Sequence, residues 1–160
     1  MIAVRPLADA DRAWAGDAVS QAWGVTLVVS RGRLHDATQL DGFVAEEDGK
    51  PIGLAQHRVD GDECELVVLV STVEARGAGT SLLAAVRDAA VAAGCRRVWL
   101  VTTNDNAHAI AFYQRRGWDW VGFHRDAIAD ARRSLKPEIP ERGEGGVPIR
   151  HEIEFELRLR

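Results

Sequence analysis

The stretch VVLVSTVEARGAGTSLLAAVRDAA, Val67 to Ala90, decides how the rest of this 160-residue chain is read. It opens with an apolar run and passes through a turn carrying Arg76, Gly77 and Gly79. It continues with Leu82, Leu83, Val86, Ala89 and Ala90 at the spacing of a half-buried helix, which Gly94 ends. A strand therefore feeds a helix through a glycine-bearing loop. The first N–H groups of a helix have no intrahelical partners and sit at the positive end of its dipole, so an anion placed there gains hydrogen bonds and field together. Glycines let that anion approach the main chain. The spacing excludes two phosphate-binding loops. A P-loop needs Lys after its last glycine, where Thr80 stands, and the dinucleotide fingerprint needs glycine at Leu82. A plain strand-to-helix turn that binds nothing remains the other reading of the loop.

Downstream, CRRVWLVTTNDN supplies an apolar strand at Val98–Val101, and a strand–helix–strand succession implies a roughly parallel crossover. Asp105 and Asn106 can cap the next helix, AHAIAFYQRRG, in which Ala109, Phe112 and Tyr113 share a face and Gly117 closes the element. WDWVGFH, Trp118–His124, reads as a strand, and DAIADARRSLK, Asp126–Lys136, as a short helix with Ala127, Ala131 and Leu135 in register. Pro137–Pro148 is a loop by composition. From Ile149 to Arg160, apolar positions alternate strictly with Arg150, Glu152, Glu154, Glu156 and Arg158, predicting a strand with one buried and one wet face.

Upstream, Asp48-Gly49 and Asp60-Gly61 are the turn chemistry of two hairpins, so three antiparallel strands lead into the glycine loop. Before them come a short strand, Ile2–Leu7, and a helix with Ala10, Trp14, Ala18 and Ala22 on one face, stopped by Gly24. Val25–Val29 is apolar, whereas Ser30–Leu40 turns strongly polar.

At 46% hydrophobic and 28% charged residues, the composition is that of a folded globular chain. A formal net charge of −4 gives no reason to expect a nucleic-acid partner. Charges among residues 1–20 rule out a signal-peptide core or membrane span there, and Cys64 and Cys95 form no C-x-x-C pair, so a reduced, cytoplasmic setting is expected. The five histidines show no ligand spacing, so no metal is expected.

Two motifs, in order and one helix and one strand apart, carry a family resemblance. R-G-x-G-x-small, Arg76–Ser81, resembles the acyl-CoA pyrophosphate loop of the GNAT N-acetyltransferases, with Ser81 in place of the usual Gly or Ala. NAHAIAFYQRRGW, Asn106–Trp118, resembles the family's carboxy-terminal motif, with Trp118 for the usual Phe. The resemblance covers Gly42 to Phe123, and the tail beyond is similar to a bacterial branch. It implies a GNAT fold of α/β class: one domain over residues 1–160, with a mixed, mostly antiparallel sheet of six to seven strands flanked by helices on both faces. It implies acetyl-CoA as cosubstrate, bound by Leu69, Val70, Ser71, Arg76, Gly77, Ala78, Gly79, Thr80, Ser81 and Asn106. In that reading Leu69 and Ser71 pair their main chains with the pantetheine arm, and a backbone N–H near Val70 faces the thioester carbonyl.

The implied reaction acetylates a primary amine of a small molecule or peptide by direct attack in a ternary complex. An alkylamine with a pKa near 10.4 is free to only about one part in 10³ at pH 7, so a base is needed. Glu65, six residues before Ser71, matches the glutamate base of histone-type members; the alternative is a strand-start carboxylate facing water. Tyr113 stands where the family keeps its general acid, the alternative being a core aromatic. Asn106 orients the cofactor, caps the helix, or both. Arg31, Arg33, His35 and Asp36, with Glu138, Arg142 and Glu144, are candidates for reading the acceptor's charges, against the reading of solvated polar loops. The rival function is a CoA-binding sensor that performs no transfer; a longer acyl chain or a hydroxyl acceptor are further variants. Neither a nucleic-acid nor a membrane partner is expected, and a homodimer would form through an exposed final strand.

Overall fold

The hairpin turns set the register of the sheet. The computed structural model describes residues 1–72 and 77–159. Its strands and helices run β1 (Ile2–Pro6), α1 (Arg12–Trp23), β2 (Leu27–Ser30), β3 (Arg33–Asp36), β4 (Asp41–Glu47), β5 (Lys50–Asp60), β6 (Glu63–Ser71), α2 (Ala78–Ala92), β7 (Arg97–Thr103), α3 (Ala107–Arg115), β8 (Asp119–His124), α4 (Ala127–Ser134) and β9 (Glu152–Arg158). Seven strands hydrogen-bond in the order β1-β4-β5-β6-β7-β9-β8, a mixed sheet flanked by four helices. β2 and β3 form a separate two-stranded sheet. The described residues group into two compact units, 1–28 with 35–98 and 159, and 29–34 with 99–158.

In the first unit, β1, β4, β5 and β6 are antiparallel neighbours. Asp48 and Gly49 both have positive φ, 52° and 74°, as the predicted two-residue turn requires. α2 buries Ala78, Leu82, Leu83, Val86 and Ala90, the predicted stripe with Ala89 at its half-buried margin. α1 corrects the sequence reading: Ala10 and Ala22 are exposed, and the buried face is Ala15, Gly16, Ala18 and Val19. Gly16 belongs there because a Cβ would already touch the Thr38 methyl at 3.4 Å, so its missing side chain brings the helix close. Ala15, Val19, Ala37, Val44, Leu54 and Val68 form the core on this side.

Three further expectations are corrected. The polar segment Ser30–Leu40 is no simple loop. It holds a hairpin whose turn, Arg31-Gly32, has positive φ at both residues, 49° and 73°. Arg31 stands where Asn or Asp usually marks such a turn, which hid the signal. In the second unit, β9 lies between β7 and β8, so β8 is the edge and the final strand is not open for pairing with another copy. The supposedly wet face of β9 is covered: Glu152 is 0% and Glu156 9% exposed.

Candidate active site

In the first unit, β6 ends at Ser71 and α2 begins at Ala78 with Gly77 as its N-cap. Gly77 has φ +80°, a left-handed conformation that costs a residue with a Cβ about 1 kcal/mol or more. The helical ladder opens with Ser81 N–H to the Gly77 carbonyl at 3.1 Å. The amides of Ala78 and Gly79 therefore precede it and emerge at the positive end of a 15-residue helix, as an anion site requires. Ala78 is buried, Gly79 and Ser81 are half-buried, and Thr80 is exposed. Leu69, Val70 and Ser71 pair with Ala55, Leu54 and Gly53 of β5 at the strand end leading to this helix. Arg76 lies outside the described residues.

Glu65 owes its position to an irregularity. Gln56 pairs with Val68 but His57 with Leu66, leaving Val67 as an extra residue in β6. Such a bulge reverses the alternation of faces beyond it. Strict alternation would put Glu65 opposite to Val68; the bulge puts it on the same side, across from Arg58. Its carboxylate is 5% exposed, with His35 Nε2 at 3.9 Å from Oε1 and Arg58 Nη1 at 4.0 Å. It is thus neither at the strand start nor facing water. Arg58 was missed by sequence reasoning, although a signal existed: counting outward from the Gly61-Asp62 turn puts residue 58 opposite 65.

The four acceptor-reading candidates separate. His35 is buried beside Glu65 rather than displayed on a loop. Asp36 accepts hydrogen bonds from the Thr38 amide at 2.9 Å and hydroxyl at 2.7 Å, a local turn cap. Arg33 is exposed. Arg31 belongs to the second unit, where its amide donates to both Glu152 carboxylate oxygens at 3.2 and 3.3 Å. Beneath segment 37–40, Gln56 donates to the Ala37 and Leu40 carbonyls at 2.6 and 3.3 Å. His57 stacks on Phe43 at 5.7 Å, and burial holds its pKa below the usual histidine value, against the pull of Asp41, so the ring is neutral at pH 7. Burial pushes the Cys64 thiol up to about 12 and also raises Cys95, which keeps both as thiols and makes them poor nucleophiles.

In the second unit, Asn106 is the N-cap of α3, its Oδ1 accepting from the Ala109 amide at 3.1 Å. Tyr113 is the one buried residue of α3, at 7% exposure. Its ring lies 5.2 Å from Phe112, 5.5 Å from Trp118 and 6.0 Å from Phe155. Burial raises its pKa well above the ordinary phenol value, against the nearby Arg116, so it holds its proton at neutral pH. No hydrogen bond joins its hydroxyl to another described residue. The ring is therefore core, and the hydroxyl keeps its donor capacity.

The loop Pro137–Pro148 is tied down rather than free. Arg132, which composition presents as a helix-end charge, donates to the carbonyls of Ile139, Pro140 and Ile149 at 2.9, 2.7 and 2.7 Å. Asn104 donates to the Pro148 carbonyl at 2.9 Å, and Asp105 accepts from the Glu144 amide at 3.2 Å. Arg142 is used internally, donating to the Gly146 carbonyl at 2.8 Å. Burial raises the pKa of Glu152, opposed by Arg31 and His124. Among the described residues there is no cluster of three or more metal-ligating side chains, and no helix is long and apolar enough to cross a membrane.

The chain matches the Acetyltransferase (GNAT) family over residues 12–118. It is 44% identical over 140 residues to YdhI, an uncharacterized protein of Bacillus subtilis strain 168, covering 87% of each chain. Its fold is similar to that of Salmonella typhimurium yncA, solved with its cofactor acetyl-CoA, at a TM-score of 0.72 and 18% identity, covering 100% of this chain and 95% of that one. It is also similar to the ribosomal-protein-S18-alanine N-acetyltransferase of Escherichia coli, at a TM-score of 0.70 and 19% identity, covering 99% and 94%.

Proposed function

Because the chain belongs to the GNAT acetyltransferase family, whose cosubstrate is acetyl-CoA, we propose that it acetylates a primary amine of a small molecule or peptide by direct attack in a ternary complex. The observation that carries this reading is the first unit's juxtaposition of a buried Glu65 on β6 with the glycine-capped N-terminus of α2 that follows the same strand.

The amine nitrogen attacks the thioester carbonyl, the C–S bond breaks, and an amide and CoA thiol leave. Glu65 accepts the ammonium proton, directly or through water, so that the free amine exists at neutral pH. A backbone N–H near Val70 stabilises the developing oxyanion. Tyr113 gives its proton to the departing thiolate and regains one through water from the nitrogen, which sheds its second proton as the tetrahedral adduct collapses to the amide, a role consistent with a phenol that burial keeps protonated. Gly77, Ala78, Gly79, Thr80 and Ser81, with Arg76, hold the pyrophosphate; Leu69 and Ser71 hold the pantetheine arm; Asn106 orients the cofactor while it caps α3. The buried, protonated cysteines argue against an acyl-enzyme. We place the reaction in the cytoplasm, with the 160 residues acting as one domain.

The test is calorimetric titration with acetyl-CoA, using ATP and NAD as controls, followed by an amine screen reading released CoA thiol. Micromolar acetyl-CoA binding with turnover of at least one primary amine is expected. Binding without turnover of any amine favours the CoA-binding sensor, and no binding at millimolar acetyl-CoA overturns both.

A further inference from the structure

The second unit contains a groove of about 550 Å³ that the acetyl-transfer chemistry does not use. One wall is the tip of the β2–β3 hairpin, the other is the end of β8, and the floor is α4. Along the floor run Ala127, Ala131 and Leu135, four residues apart on one helical face and small enough at two positions to leave room above them. Phe123, 51% exposed and packed on the His151 ring at 4.9 Å, closes the apolar side.

The charges over this floor can be paired off. Arg31 at the hairpin tip is held by Glu152, through its amide at 3.2 Å and through Nη1 at 3.5 Å. Its other guanidinium nitrogens make no bond to a described residue. A buried carboxylate thus fixes the tip while leaving most of the Arg31 fork available. His124 Nε2 lies 2.9 Å from Glu154 Oε1, and Asp130 pairs with Arg133. Arg125 alone among the groove's charges makes neither an ion pair nor a hydrogen bond to any described residue. The balance is one uncompensated cation and one anchored guanidinium with spare donors, beside an apolar floor. Two arginine forks suit a carboxylate. Asp130 in the lining and the buried Glu152 carboxylate that holds Arg31 oppose a second negative charge and so disfavour a phosphate dianion.

We propose that this groove binds a small monocarboxylate with a short apolar or aromatic body.

The test uses the full-length protein and two probes of equal shape, 3-phenylpropionate and 3-phenylpropanamide, titrated by NMR. The carboxylate should bind at least about tenfold more tightly than the amide and shift the amide signals of Ala127, Ala131 and Leu135. Arg125→Ala should reduce that preference to less than about threefold, and Arg125→Lys should retain part of it. Equal affinities, no carboxylate binding up to about 10 mM, or a preference indifferent to Arg125→Ala would each overturn the proposal. Carboxylate binding in a protein that does not bind acetyl-CoA removes the acetyltransferase reading and leaves the groove as a carboxylate site.

Discussion

Replacing Glu65 by Gln removes the proposed base while keeping the volume of a side chain that is 5% exposed. Two effects follow, and they separate. The first is on stability. Arg58 loses a partner at 4.0 Å, an attraction of about 4 kcal/mol at an effective dielectric of 20. Burying the carboxylate opposes that gain, and the Arg58 side chain is 24% exposed and can turn to water. The net loss should be about 1–2 kcal/mol, a fall in Tm of roughly 3–6 °C, leaving the protein folded at 25 °C. The second is on turnover. Without a base the enzyme depends on amine that is already deprotonated, and kcat/KM at pH 7 should fall about 10²–10³-fold, or roughly 3–4 kcal/mol of barrier. The free fraction of an alkylamine rises from about one in 10³ at pH 7 to about one in ten at pH 9.4. The variant should therefore recover with pH while the wild type rises less, and their ratio should shrink at least about tenfold across that range. Released CoA thiol, read at both pH values with a saturating acetyl donor, measures it. A variant retaining more than about a third of wild-type kcat/KM at pH 7 would refute the reasoning, as would a ratio that is unchanged at pH 9.4.

Tyr113→Phe should lower kcat at least about tenfold while acetyl-CoA affinity and Tm stay near wild type, because no hydrogen bond to another described residue is lost; calorimetry alongside turnover checks it. Asn106→Ala should cost about 1 kcal/mol in urea denaturation through loss of the bond to the Ala109 amide, whatever it does to cofactor binding. Gly42→Ala should cost about 2–4 kcal/mol, since a Cβ there would lie 2.0 Å from the Ala55 carbonyl oxygen and 2.9 Å from the Gln56 Cα, backbone atoms that cannot step aside; an unchanged urea midpoint would contradict this. Asp11 accepts from Arg5 at 2.7 and 2.9 Å and from the Ala8 amide at 2.8 Å, and its pKa is lowered from 3.8 to about 2. Its contribution is therefore complete above pH 4 and is lost as pH falls through about 2. With Arg5 37% exposed, that contribution should be about 1–2 kcal/mol, so Asp11→Asn should lower Tm at pH 7 and match the wild type near pH 2.

The elements that were legible in the sequence are those fixed by short-range chemistry. Asp48-Gly49 announces a hairpin because both residues must take positive φ, and α2 shows its buried stripe because Leu82, Leu83, Val86 and Ala90 recur with the helical period. Gly77 and Tyr113 were reached through motif spacing, and the structure gives each a physical reason, a left-handed helix cap and a buried ring. The losses occurred where a distant partner decides. Glu152 alternates with apolar neighbours as a wet-face residue should, yet it is covered, because the amide of Arg31, 121 residues earlier, meets it. The α1 face was misjudged because Ala10 and Ala22 satisfy a helical period equally well, and only the presence of Thr38 and Thr26 beside Gly16 selects the other side.

The bulge at Val67 is the most instructive of these, since it decides the proposed chemistry. Nothing in VVLV distinguishes a regular strand from one with an extra residue. The count from the Gly61-Asp62 turn pairs 65 with 58 correctly, and the count back from Ser71, paired with Gly53, would place 65 opposite 59 if the ladder were regular. The two counts disagree by one residue, so both can hold only if one residue of β6 stands unpaired. That residue lets Leu69 to Ser71 keep the ladder to β5 while Glu65 turns to the side of His35 and Arg58. Deleting Val67 should then close the bulge and leave Glu65 two positions from Val68 in a regular ladder, on the same side and still across from Arg58, so that base catalysis survives the deletion; its loss would refute this account of the bulge.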